Sequence, residues 1–413
     1  MRTWGLVALG LCASGIATGA AAQAFGVNPD RNAPVWMRRW SALGSRADLP
    51  RRLPSAGTAT SSFVFGPPRV GSFWTAGNPA GLVEDARDAR TDFQGGFNRQ
   101  SGDFRRPLDP GTAWLVQAAA QSWKGFSPTF SLLGRVTFDQ ERLDPGTRSD
   151  FTEAFPSSPF VSTDTSASPV RRTRAVLEGV AGWRLGRWSV GITGGYEGRD
   201  HLSTVSTTIR RVRSTTPGLV LGIARQLGGI QLGAFTRLRH TAESVLLFTR
   251  TGSGRVYELT GYREAPPITL STSYSKRREQ DLSSFGGTLG GHTGRVRWTL
   301  YAEADRQSER LTRQQQNDPA LDRWDQSGWS AGGALQRRFG PRWLLTLHAR
   351  GVSSSGDADL ALDSAGVIFH AEESALEAEL ELRMVPADRE WTGILTLGMA
   401  GASRTRRDST TGL

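Results

Sequence analysis

The chain has 413 residues and a formal net charge of +11, from 50 basic and 39 acidic side chains. Hydrophobic content is 38% and mean hydropathy −0.36, and the mature chain has no uninterrupted apolar run of the ~18 residues a spanning helix needs. This excludes a helical membrane protein but not a membrane barrel, in which only half of each strand need be apolar. The basic residues are almost all Arg, with Lys only at Lys124 and Lys276, and they alternate along strands instead of forming the patch that nucleic acid requires.

Residues 1–22 read as a secretory signal peptide. Arg2 supplies the charge, residues 4–17 the apolar core, and Ala20-Ala21-Ala22 and Ala22-Gln23-Ala24 the small-x-small cleavage sites. The one cysteine, Cys12, falls inside that core, and Leu11 before it is not the small residue of a lipoprotein signal. The mature chain therefore enters an oxidising compartment without a thiol to pair. Residues 23–90 are rich in Pro and Arg with little periodicity. They read as an irregular periplasmic lead or a plug inside a lumen. Near their end, Asn78-Pro79-Ala80-Gly81-Leu82 carries a turn signal. It resembles the Asn-Pro-Ala-Gly-Leu found near the start of fatty-acid-transporter-type barrels.

Residues 91–413 read as a meander of strands. Residues 91–98 make a weak first strand. Residues 112–122 and 126–139 form a hairpin about Trp123-Lys124-Gly125, with Gly134, Val136 and Phe138 opposed by Arg135, Thr137 and Asp139. A polar connection over residues 140–170 follows. Residues 172–197 hold the organising hairpin. Thr173, Ala175, Leu177, Gly179, Ala181, Trp183 and Leu185 face one way; Arg172, Arg174, Glu178, Gly182 and Arg184 face the other, joined by Val176 and Val180. Gly186-Arg187 reverses the chain, and Trp188, Val190, Ile192, Gly194 and Tyr196 continue the apolar face. After a loop at 199–217, Leu219, Leu221, Ile223 and Leu227 lead to Gly228-Gly229. Ile230, Leu232, Ala234, Thr236 and Leu238 follow, opposed by Gln231, Arg237 and Arg239.

The pattern resumes beyond a long loop at 250–278. Residues 282–290 turn at Gly291-His292-Thr293-Gly294, and Val296, Trp298, Leu300, Ala302 and Ala304 alternate with Arg295, Arg297, Thr299, Tyr301, Glu303 and Asp305. A polar loop at 306–325 precedes residues 329–339, the Gly340-Pro341 turn, and Trp343, Leu345, Leu347 and Ala349 against Arg342, Thr346, His348 and Arg350. Last, Leu376, Ala378, Leu380, Leu382 and Met384 alternate with Glu377, Glu379, Glu381 and Arg383 before Pro386-Ala387-Asp388 and a strand from Trp391. Residues 244–249 and 255–261 could instead pair with each other across Gly252-Ser253-Gly254.

Short turns and long polar loops alternate, as they do in an outer-membrane barrel with tight periplasmic turns and longer outer loops. Trp183, Trp188, Trp343 and Trp391 lie near short turns, where an aromatic girdle belongs. The fold expected is all-β, an up-and-down antiparallel transmembrane β-barrel of about 12–14 strands, whose natural partners are the bilayer and the barrel-assembly machinery. The count leaves one strand wanting after residue 404, so the reading frame is expected to stop short of the last strand.

The charged face defines the lumen: Arg172, Arg174, Glu178, Arg184, Arg237, Arg239, Arg295, Arg297, Glu303, Asp305, Arg342, His348, Arg350, Glu377, Glu379 and Glu381. Two readings compete. An open, Arg-rich path would favour anionic solutes. Charges paired across the lumen would close it, leaving a structural or docking barrel that works through its outer loops. A hydrophobic-substrate transporter would need an apolar lumen pocket, and a soluble secreted β-protein would share the alternation but not the loop sorting. The five histidines lack metal-ligand spacing, and no Ser/His/Asp spacing or phosphate loop stands out, so neither enzyme nor cofactor is expected.

Gly134-Arg135-Val136-Thr137-Phe138, Pro159-Phe160, Asp164, the Arg-rich strand into Tyr196, and Arg199-Asp200 together resemble an uncharacterised family of bacterial outer-membrane β-barrels of unknown function. The resemblance covers residues 134–247 and implies an outer-membrane barrel. It carries over no substrate and no functional residues.

Overall fold

The computed structural model describes residues 78–85, 89–101, 112–144, 160–163, 169–204, 208–249, 254–260, 263–264, 268–270, 273–313, 321–340, 343–359, 367–384 and 393–408. The segments expected to be a signal peptide and most of the lead, residues 1–77, lie outside them, as do Arg342 and Trp391.

Period-two alternation carries nearly every element. The strands are β1 (Arg90–Ser101), β2 (Thr112–Ser127), β3 (Phe130–Asp144), β4 (Phe160–Thr163), β5 (Val170–Leu185) and β6 (Trp188–Thr204). They continue as β7 (Thr208–Leu227), β8 (Ile230–Thr249), β9 (Gly254–Thr260), β10 (Arg263–Glu264), β11 (Ile268–Leu270) and β12 (Ser273–Thr293). The last are β13 (Val296–Arg313), β14 (Leu321–Phe339), β15 (Trp343–Asp359), β16 (Val367–Met384) and β17 (Gly393–Asp408). Thirteen of them form one antiparallel meander in the order β1-β2-β3-β5-β6-β7-β8-β12-β13-β14-β15-β16-β17. The expected strand total is met, and the weak first strand is β1. An odd count makes β1 and β17 run in the same direction; among the described residues β1 pairs with β2 and β17 with β16.

The sheet curls into a barrel. Side chains from β7 and β8 share one buried cluster with side chains from β13, β14, β15 and β16, which a flat sheet would hold far apart. The outward side chains on the half of each strand next to the short turns are apolar and exposed: Leu177, Ile192, Leu221, Leu232, Leu300 and Leu347 belong to this band. Gly186, Gly228, Gly294 and Gly340 take φ of 58–65° in four short turns, a conformation open to glycine without a side-chain clash.

Several boundaries differ from the sequence reading. The β2–β3 turn falls at Pro128-Thr129, not at residues 123–125, because proline presets the turn backbone. Most of the residues read as loops at 199–217, 250–278 and 306–325 are strand, and within 140–170 residues 140–144, 160–163 and 170 are. β6 and β7 stay paired up to Thr204↔Ile209, β12 begins at Ser273, β13 runs to Arg313 and β14 starts at Leu321. The strands thus continue well past the apolar band on the long-loop side. The alternative pairing of 244–249 with 255–261 does not form: β8 keeps its partners β7 and β12 through Phe248, and β9 pairs with β4, β10 and β11 in a small separate sheet that joins two long loops. Residues 405–408, beyond the expected end of the last strand at 404, extend β17.

Candidate functional site

The barrel interior holds three layers of side chains. At the short-turn end the chain itself fills it. A helical turn at Pro79–Gly81 runs into a short α-helix, α1 (Leu82–Asp85), and residues Asn78, Ala80 and Leu82 are fully buried against β5, β6 and β7. Proline at the first position and the Asn78 side chain accepting from the Ala80 N–H start the turn. The Asn78 amide then donates to the Ile223 carbonyl at 3.0 Å, the Ala234 carbonyl at 3.2 Å and Thr288 Oγ1 at 3.4 Å. One side chain therefore ties this segment to three strands.

The wall opposite is made of glycine for a steric reason. Gly182, Gly191 and Gly222 stand in register on β5, β6 and β7. A Cβ at Gly191 would lie 2.2 Å from the Pro79 carbonyl carbon, and one at Gly222 would lie 2.1 Å from Asn78 Oδ1. Only bare backbone lets the segment come this close. Leu82 packs in a buried cluster with Leu133, Val180, Val220 and Phe235. Val180 was one of two apolar exceptions on the charged face of the organising hairpin, and this contact is its reason.

The middle layer is ionic. Arg237 and Glu303, 1% and 3% exposed, meet at 3.2 Å, and Ser284 donates to the same carboxylate at 2.6 Å. Arg278 meets Glu309 at 2.8 Å, with Gln280 donating to Glu309 and Arg239 donating to Gln280. Glu197 takes both Arg174, at 2.9 Å, and Arg199, while Arg174 also reaches Asp139 at 3.6 Å. Arg172 pairs with Glu141 at 3.3 Å. Buried charges persist only when paired and hydrogen-bonded, and these are.

The third layer, at the long-loop end, is apolar. Val212, Val245, Leu247, Leu311, Trp324, Ala358 and Phe369 form a buried cluster that caps the ionic layer. The Trp324 and Phe369 rings lie 6.0 Å apart, and Trp324 lies against Gly356.

Of the residues assigned to the lumen from sequence, Glu178, Arg237, Arg239, Glu303 and Asp305 are buried inside; Arg172, Arg174, Arg184 and Arg350 are half-buried on the same face. Arg295 and Arg297 are exposed at the short-turn mouth. His348, Glu377, Glu379 and Glu381 are placed by register: Arg350 opposite Glu377, His348 opposite Glu379, Thr346 opposite Glu381. Trp183, Trp188 and Trp343 are exposed beside short turns, where a girdle was expected. The sequence reading left out Glu141, Arg199, His201, Arg210, Glu243, Lys276, Arg278 and Glu309, all on the inner face. Their signal was continued alternation, as in Glu197-x-Arg199-x-His201 and Lys276-x-Arg278-x-Gln280, which for all but Glu243 reaches into segments read as loops.

The chain belongs to DUF6850, a family of unknown function, whose profile matches residues 79–410. The match begins at the buried Pro79 and takes in the whole meander. No functionally curated protein matches. Among solved structures, the chain is similar to the ferric citrate transporter FecA in unliganded form, at 10% identity and TM-score 0.40, over 78% of this chain and 56% of that one. It thus spans little more than half the length of that transporter. It is similar to the monoaromatic hydrocarbon channel CymD at 10% identity and TM-score 0.36, over 82% and 93% of the two chains. For the ferric yersiniabactin receptor FyuA of Yersinia pestis the figures are 11% and 0.39, over 75% and 56%.

Proposed function

We propose that this DUF6850 protein is an outer-membrane β-barrel whose lumen is closed at rest. It acts at the cell surface through its long-loop end, or in transport that a partner must unlock, and not as a passive pore. The observation that carries this reading is the burial of the lumen charges. Glu309 is 0% exposed and Arg237 1%; in a water-filled path they would be wet, and their pairing would be weaker and less complete. Residues 78–85 serve as a plug below that layer, and the apolar cluster serves as a cap above it. The cap is filled by its own side chains, which speaks against a hydrophobic-substrate pocket there.

The outward band supports the membrane. Leu300 is 51% and Leu347 42% exposed within a continuous apolar belt, far larger than a soluble protein tolerates. Leu347→Arg, within this band, is expected to lower stability in lipid by about 2–4 kcal/mol, while Ser355→Arg, farther along the same strand and also exposed, costs less than about 1 kcal/mol. Urea unfolding in bilayers reads both. Equal effects would place β15 in water and restore the soluble reading.

The deciding experiment is planar-bilayer conductance of the refolded chain. The expected result is stable insertion with no steady current. A steady, anion-selective current would replace the closed barrel with an open Arg-lined pore.

A further inference from the structure

Above the apolar band the outer surface carries two pairs of arginines set directly opposite each other on neighbouring strands. Arg142 on β3 faces Arg171 on β5, and Arg310 on β13 faces Arg323 on β14. All four are exposed. Arg323 meets Asp325 at 2.6 Å, but Arg142, Arg171 and Arg310 have no carboxylate partner among the described residues. Like charges directly opposite destabilise a sheet, because their Cβ atoms are only ~5 Å apart. Arg142 and Arg171 are flanked in register by Trp114 and Leu202, whereas Glu279 on β12 stands opposite Arg310 on its other side. The first pair has the greater need of an anion, and a phosphate accepts bidentate bonds from both guanidinium groups of a pair.

The height of the pairs identifies the source. Arg142 lies twelve residues beyond Phe130 on β3, and Arg310 twelve beyond Trp298 on β13. At ~3.3 Å per residue and ~40° of tilt, each sits about 30 Å above the short-turn edge of the band, against an apolar belt of about 25 Å. On the way up, the outer faces pass Phe138 on β3 and the exposed Trp329 on β14, and then turn polar. Apolar below, polar above and paired Arg on top is the sequence of surfaces that a phosphate-bearing lipid presents in mirror image.

We propose that Arg142–Arg171 and Arg310–Arg323 are two clamps for the phosphate groups of the outer-leaflet glycolipid. This rests on the outer-membrane reading above. The clamps hold that lipid against the barrel wall on two sectors of its circumference, and they fix the depth at which the barrel sits.

The test uses the full chain, recovered from membranes in detergent, and native mass spectrometry with bisphosphorylated lipid A, the same lipid without its phosphates, and inorganic phosphate. The intact chain is expected to prefer bisphosphorylated lipid A over the dephosphorylated form by at least about tenfold. R142Q/R171Q and R310Q/R323Q should each weaken its binding by about ten- to thirtyfold. The control R225Q/R337Q removes two exposed arginines at the short-turn end and should leave binding unchanged. Equal binding of the two lipid forms overturns the proposal, as does a loss matched by the control. Binding of inorganic phosphate as tight as that of the lipid overturns the lipid assignment. A chain that fractionates with the outer membrane yet shows no phosphate preference sinks the clamps alone; a chain that never enters that membrane sinks the outer-membrane reading with them.

Discussion

Gly191→Val is expected to dislodge residues 78–83 from the barrel wall and to be among the most damaging single substitutions in the chain. The new side chain has nowhere to go: its Cβ would occupy the position of the Pro79 carbonyl, at 2.2 Å, and the atoms in its way are backbone, which cannot rotate aside. Eviction of the segment would expose Leu82 and Val83, each worth about 1.5–3 kcal/mol when buried. It would also strip the Ile223 and Ala234 carbonyls and Thr288 of the Asn78 amide. The expected total is about 3–5 kcal/mol, read as a lowered unfolding midpoint together with new protease cleavage within residues 70–90. Gly194→Val on the same strand is the control, because a Cβ there faces outward and meets nothing. It should be neutral or slightly stabilising, since valine suits a strand better than glycine does. If both variants unfold alike and neither opens the segment to protease, residues 78–83 do not sit against β6.

Much of this fold was legible because the band obliges one face of each strand to be apolar and the lumen obliges the other to be polar. That contrast gave the organising hairpin its two faces and placed Arg237, Glu303 and Arg174 inside. It fails above the band, where the outer face also becomes polar. There the alternation inverts: Val212, Val245, Leu247, Leu311 and Trp324 point inward while Arg213, Ser244, Arg310 and Arg323 point outward. A strand that is apolar inside and charged outside, following one that is charged inside and apolar outside, reads as loss of periodicity. Parts of the segments taken for loops at 199–217 and 306–325 are these inversions. The docking of residues 78–83 against the barrel wall was half legible. Asn78-Pro79 signalled a turn, but nothing local marked Gly182, Gly191 and Gly222 as its seat, since their alignment depends on register across three strands. The direct opposition of Arg142 and Arg171 is hidden for the same reason.

Removal of either member of the Arg237–Glu303 pair is expected to destabilise the barrel by about 3–5 kcal/mol, because it strands a buried charge. Replacing both with apolar residues of similar size, as in R237M/E303L, should recover most of that loss. The two charges exchange an unfavourable desolvation for contacts that methionine and leucine can also make, with Ser284 left to find another acceptor. Urea unfolding of the two single variants and the double one gives the coupling energy, expected at several kcal/mol. Comparison with R237A/E303A then separates stability from closure. Two alanines leave the ionic layer hollow between plug and cap, whereas methionine and leucine keep it filled. If the closed lumen depends on packing of this layer, R237A/E303A conducts intermittently in a planar bilayer and R237M/E303L stays silent, although neither retains the ion pair. If both stay silent, the plug or the cap alone seals the barrel, and an opening partner must act on residues 78–85 or on the cluster around Trp324. If both conduct, the charges themselves are the seal, and the partner most able to unlock it is one that brings an anion to compete for Arg237.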